Sequence, residues 1–305
     1  MTEEQQAHEE PQPNESQNQN LNWLVGHGVT GLIKAAGDGL VEKDGHANMC
    51  AQIEQENFRD IEIERCIYER LGPHPRIYKF IRHEEGINTL KRYKQALGHR
   101  LIDIAKLGGV PNTGLLLRWA RQVAEAFAYI HSKGVLQSDI SWGDCLLDEE
   151  DNLVLCDFAG SSIDGSESAI CSGPRYRPGP WDRDRWSDLR LEVFAIGTLL
   201  YNISTATQPY PDVRIEDDEL IERGFDKGVF PDTRRLILGS IIRRCWVMSY
   251  NCADEILRAI ELTAQEHEQK GMLRLEGKLS LSLALVPVTT AVLAVTLSTF
   301  RKTRI

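Results

Sequence analysis

The sequence is short of positive charge. Its 305 residues carry 35 Lys and Arg against 45 Asp and Glu, a formal net charge of −10. Covering nucleic-acid phosphates takes clustered cations, so a non-specific nucleic-acid binder is excluded and no nucleic-acid partner is expected. Paired cysteines are missing as well. Cys50, Cys66, Cys145, Cys156, Cys171, Cys245 and Cys252 form an odd, scattered set without the close pairs that bind zinc, which points to a reducing intracellular setting. No segment repeats at a solenoid period. Residues 1–20 lack an apolar run and are rich in Glu, Gln and Asn, so they read as a disordered tail and not as a secretory signal.

What is present suffices for a large core. At 42% hydrophobic and 26% charged, the chain fits one two-lobed domain or two ordinary ones. A folded body is expected over 21–268, then a charged linker over 269–278. Residues 279–300 hold no charged side chain. At about 1.5 Å per residue they are long enough to cross a bilayer core of roughly 30 Å, so a C-terminal transmembrane helix is expected there, with membrane association through that tail. Pro287 interrupts it, and basic residues on both sides leave it without an orientation.

Two halves of the body carry chemistry. Leu24 to Ile33 places Gly26, Gly28 and Gly31 between apolar, strand-like residues, where bare backbone can lie close over phosphates. Ala36-Gly37-Asp38-Gly39 makes a hairpin turn, and the strand after it ends on Lys43, which can reach inward. Ile61 to Leu71 has apolar residues at helical spacing, with Ile63, Ile67 and Leu71 on one stripe and Glu64 beside it. Glu62 is the alternative acidic residue on that helix. Gly72-Pro73 ends it.

In the second half, Leu116, Trp119, Ala120, Val123, Phe127 and Ile130 describe a core-facing helix closed by Gly134, with His131 in its last turn as a packing or dipole residue. Beyond it, the apolar runs flanking Asp148 to Asn152 read as two short strands joined by a polar turn. The hairpin sets Asp139 and Asp144 at one open end against Asp157 at the other. Carboxylates gathered in this way repel one another unless a divalent cation sits between them.

This ordered set resembles the protein kinase superfamily, and the resemblance spans about Leu21 to His267. Asp139-Ile140-Ser141-Trp142-Gly143-Asp144 is similar to the family's catalytic loop, and Asp157-Phe158-Ala159-Gly160 to its Asp-Phe-Gly metal motif. The inserted Ala159 looks like a divergent branch of small kinase-like proteins from fungi. The resemblance implies an α+β, two-lobed fold with a small β-rich N-lobe (about 21–86), a hinge (about 87–98) and a mostly helical C-lobe (about 99–268). It also implies ATP and Mg2+ as cofactors and a protein substrate. Gly26, Gly28, Gly31 and Lys43 would contact the nucleotide. Lys43 would pair with Glu64, Asp144 and Asp157 would hold the metal, and Asp139 would take the hydroxyl proton.

Departures from the family pattern bear on activity. Gln137 and Ser138 replace its His and Arg, removing the guanidinium that docks a phosphorylated segment, so no such switch is expected. Ser141 replaces a Lys, Asp144 an Asn, and Glu192 the Asp of the central buried helix. Pro180 falls where a pairing glutamate is lost. The expected function is a protein kinase, Ser/Thr type, with a cytoplasmic catalytic domain. The alternatives are a nucleotide-binding or scaffolding pseudokinase and, third, a small-molecule phosphotransferase.

Overall fold

The computed structural model describes residues 24–27, 31–45, 50–179 and 188–273. The chain forms two compact units, Met1–Leu257 and Arg258–Ile305, and the described part of the second, 258–273, is helical.

The first unit begins with a five-stranded antiparallel sheet: β1 (Leu24–His27), β2 (Gly31–Gly37), β3 (Leu40–Gly45), β4 (Phe80–Glu84) and β5 (Ile87–Lys91), in the order β1-β2-β3-β5-β4. The β2–β3 turn has Asp38 and Gly39 at positive φ (47° and 72°), the backbone that a two-residue hairpin matched to strand twist demands. In β3 burial alternates, so Val41, Lys43 and Gly45 share the inner face. That face is covered by α1 (Ala51–Leu71), which starts ten residues before the apolar stripe visible in the sequence. Its buried residues include Ile61, Glu64, Ile67, Tyr68 and Leu71, while Ile63 is only half-buried.

The expected hinge over 87–98 needs correction. Glu85 and Gly86, both at positive φ (51° and 80°), form a tight turn that sends the chain back into the sheet as β5, between β3 and β4. The chain leaves the sheet only after Lys91. Lys94 N–H then bonds to Leu147 O (3.0 Å), and β6 (Gln95–Ala96) pairs with the strand containing Leu147.

The remainder of the unit is mostly helical, with α2 (Leu97–Lys106), α3 (Thr113–Ser132), α4 (Leu189–Thr205), α5 (Asp218–Asp226) and α6 (Gly239–Trp246). The Asn112 side chain caps α3 by accepting from Leu115 N, and Asp188 caps α4 through Arg190 N. Every residue of α4 from Leu191 to Ser204 is buried, and its polar members Glu192, Thr198, Asn202 and Ser204 are hydrogen-bonded. Short strands β7 (Val135–Leu136), β8 (Cys145–Leu147), β9 (Leu153–Leu155) and β10 (Ser162–Ile163) make two small sheets, β10-β7 and β6-β8-β9, and β8 and β9 form the hairpin expected around Asp148 to Asn152. The architecture is the α+β, two-lobed one expected.

The expected transmembrane helix is not borne out. Among the described residues no helix is long and apolar enough to cross a membrane. Residues 279–300 themselves lie outside the described residues, as do 1–20, Gly28 and Pro180.

At Gly197 of α4, a Cβ would stand 2.5 Å from the Cys245 Cβ of α6, so the two helices meet where one of them has no side chain. Gly197→Ala should lower stability by about 1–3 kcal/mol through overpacking. Gly173→Ala, where a Cβ meets nothing within 4 Å, should stay within about 0.5 kcal/mol. Urea midpoints of the two variants check this.

Candidate active site

The site is built on a buried cation. Lys43 points from the inner face of β3 toward α1, its side chain 4% exposed, and its Nζ donates to Glu64 Oε1 (3.1 Å) and Asp157 Oδ1 (2.6 Å). Glu64 comes from the sheet lobe and Asp157 from the segment after β9, so one ammonium ties the two lobes together. Glu62, whose side chain is 51% exposed, pairs instead with Arg65 on the outer surface. The helical register therefore separates the two acidic residues that the sequence left in competition. Burial pulls Lys43 down, but Asp157 and Glu64 outweigh it and hold the ammonium above its ordinary range.

Phe158 follows Asp157 and is fully buried, edge-on to Tyr68 of α1 (5.3 Å). Its N–H donates to Glu64 Oε1 (3.2 Å). Asp157 itself sits at φ 60°, a left-handed conformation that its many contacts sustain. The inserted Ala159 leaves Asp157 against Lys43, and Gly160 (φ 74°) takes up the sharp return of the chain.

The loop Gln137 to Asp144 is held from beneath by side chains. Ser138 stands at φ 68° where the Asp139 N–H turns back to Gln137 O (2.9 Å). Glu192 Oε1 accepts the Ser138 N–H (2.8 Å), and Glu192 Oε2 pairs with His131 Nε2 (2.6 Å). His131 is thus bound to a loop anchor as well as packed. Ser172 Oγ accepts from Ile140 N (2.8 Å), and Tyr176 Oη joins Trp142 N (3.2 Å) to Asn202 Oδ1 (2.9 Å). Ser141 Oγ donates to Asp144 Oδ2 (2.6 Å).

Burial and neighbouring carboxylate charge raise the proton affinity of Asp139 and Asp144. Burial, then the charge of Asp157, pushes Asp139 up to about 6. Burial, then Asp157 and Asp139, pushes Asp144 well above the usual carboxylate range. Such a cluster favours a proton or a cation. Among the described residues, however, no group of three or more His, Cys, Asp or Glu side chains could hold a metal ion by itself. Asp144 and Asp157 fit only a site whose other oxygens come from phosphate and water, which suits a hard cation such as Mg2+.

The structure brings Lys43, Glu64 and Asp157 into direct contact and sets Asp139 and Asp144 within electrostatic reach of Asp157. Gly26 lies in β1. Gly31 opens β2 with a structural reason of its own, since a Cβ there would come within 2.4 Å of Asp44 O. Asn88, Ser172 and Tyr176 went unnoticed in the sequence. Only their tertiary partners mark them. A cavity of about 510 Å³, lined by Tyr68, Pro73, Ile77, Tyr78, Phe80 and Tyr93, contains none of the expected site residues.

Comparison with known proteins accords with this geometry. The family described as "Protein kinase domain" matches residues 34–235, more than half of the chain. The chain belongs to the protein kinase family. That match begins beyond Gly31, so the glycine segment rests on the sequence alone. CBL-interacting protein kinase 25 of Oryza sativa subsp. japonica is 31% identical over 105 residues, 32% of this chain and 20% of that protein. Serine/threonine-protein kinase kin-29 of Caenorhabditis elegans is 22% identical over 217 residues, 69% of this chain and 24% of that protein. Serine/threonine-protein kinase pim-2 of Danio rerio is 29% identical over 160 residues, 50% of this chain and 48% of that protein. The chain thus covers less than half the length of each of these relatives. Membership implies ATP, a divalent metal and protein substrates in general.

A carboxyl that titrates at about 6 when folded and near 3.8 when unfolded favours folding in its protonated form. Its contribution is complete below about pH 3.8 and is lost as the pH rises through 6. Asp139→Asn should therefore stabilise the metal-free protein at pH 7.5 by about 1–3 kcal/mol, with the gain vanishing near pH 4. Melting curves in chelator at the two pH values test the sign.

Proposed function

We propose that the chain transfers the γ-phosphoryl group of Mg-ATP to a Ser or Thr hydroxyl of a protein. The observation that carries this reading is the buried Lys43 bridging Glu64 and Asp157. Burying an unpaired ammonium is costly, and two carboxylates from separate lobes offset that cost only when the lobes are aligned. Lys43 would then present positive charge to the nucleotide phosphates, under backbone supplied by Gly26, Gly28 and Gly31.

Asp144 and Asp157 would hold the magnesium ion, which when bound neutralises charge developing on the transferred group. Asp144 keeps Oδ1 for that purpose, because Ser141 occupies Oδ2. Asp139 would accept the proton of the substrate hydroxyl. It precedes Ile140, whose N–H is fixed by Ser172, so the loop carrying it is held in place before substrate arrives. The family name "Serine/threonine-protein kinase" borne by two relatives supports the choice of hydroxyl. The working domain would span 21–268. Seven free thiols support its placement in a reducing, cytoplasmic compartment.

One contact favours a second reading, a nucleotide-binding module with little catalysis. Ser141 stands where the family has a cationic donor, and its hydroxyl is engaged by Asp144, so it offers no charge to the moving phosphoryl group.

Incubation with labelled ATP, Mg2+ and a generic protein acceptor tests the main reading. Asp139→Asn should cut labelling by about a hundredfold or more, and equal labelling by the two proteins overturns the proposal. ATP with Mg2+ should also raise the melting temperature, with the rise abolished by chelator. A rise without phosphoryl transfer selects the binding module.

A further inference from the structure

Asn88 is fully buried in β5, directly across the ladder from Lys43 in β3, so both side chains lie on the face covered by α1. Its Nδ2 donates to Glu64 Oε2 (3.2 Å) and to Ile61 O (3.3 Å). Both partners are acceptors, so the amide nitrogen faces them and Oδ1 turns the other way. There Oδ1 lies 2.8 Å from His83 Nδ1, which must carry the ring proton. The opposite oxygen of the glutamate, Oε1, takes Lys43 Nζ and the Phe158 N–H. Glu64 is thereby held at both oxygens. Removal of Asn88 would leave Oε2 buried and free to rotate, a costly state for a carboxylate.

The loop pattern gives this hold a purpose. Ser138 precedes Asp139 where the family carries an arginine, so a phosphorylated segment has no guanidinium there to gather it. We propose that Asn88, oriented by His83, is the positioning residue of the Lys43–Glu64 pair, keeping α1 docked on the Asp157–Phe158 turn without any phosphorylation. The proposal rests on the reading of Lys43 as the nucleotide-contacting lysine. It deepens that reading by making the assembled state intrinsic to the sheet. A hydrogen bond to a charged acceptor is stronger than one between neutral groups, which suits it to this task.

The test is amide exchange at Phe158 in the whole chain without nucleotide, because that N–H is bonded to Glu64. Asn88→Leu should speed exchange at Phe158 about tenfold or more while leaving Val41 and Leu90 in the sheet unchanged. His83→Phe, on the half-exposed strand β4, removes the orienting N–H, along with an outer contact of Nε2 to Glu62 (3.6 Å), and should speed it about threefold. It decides the matter if Asn88→Leu fails to fold. Unchanged exchange at Phe158, or the same acceleration at Val41 and Leu90, overturns the proposal, the latter by showing a merely structural role. Binding of Mg-ATP to the unaltered chain is measured in parallel. Its absence sinks the nucleotide reading while the exchange result still judges the Asn88 hold.

Discussion

A lysine ammonium cannot remain charged in the interior of this protein without carboxylates around it, and the chain supplies them from two distant places. Lys43 lies 21 residues from Glu64 and 114 from Asp157 in sequence, yet touches both. Truncating either acid would leave the buried ammonium with one carboxylate in place of two, so each is needed to offset its burial. The sheet, α1 and the segment after β9 are therefore mutually dependent. The closure of the cleft is an electrostatic requirement as much as a packing one.

Beneath the cleft the loop from Gln137 to Asp144 depends on α4 in a similar way. Glu192 carries one more methylene than the family's aspartate, and its two oxygens still reach the Ser138 N–H and His131. Tyr176 and Asn202 extend the same support to Trp142. Buried polar pegs of this kind fix a loop because each unmade bond would leave an unsatisfied group in the interior. Around this loop, among the described residues, Gln137 Oε1 and His131 Nδ1 are exceptions, buried with no hydrogen-bond partner.

The substitutions in this chain follow a pattern. Cations are missing from the loop at Ser138 and Ser141, and hydroxyls or backbone groups take over the contacts that remain. On the neighbouring segment, Arg177 pairs with Glu222 of α5 through Nε (3.2 Å), tying that segment to the helical lobe. Binding geometry is thus maintained more fully than the positive charge that would speed phosphoryl transfer. The nucleotide reading and the low-catalysis reading both grow from this balance.

Local sequence determined a good deal. Alternation placed Lys43 on the inner face of β3, helical register placed Glu64 inward and Glu62 outward, and the polar turn from Asp148 to Asn152 fixed the hairpin that sets Asp144 near Asp157. These follow from periods of two and about 3.6 residues and from turn chemistry, which neighbours in the chain are enough to specify. The first ten residues of α1 escaped notice because Gln52, Glu54, Gln55 and Glu56 give no apolar stripe. The true end of the sheet was missed because Glu85-Gly86 reads equally as a hairpin turn or a lobe boundary. Asn88, Ser172 and Tyr176 bear on the site through groups 24 to 34 residues away. A carboxamide or hydroxyl carries no local sign of its partner, so only the packed fold decides which of them bears on the site.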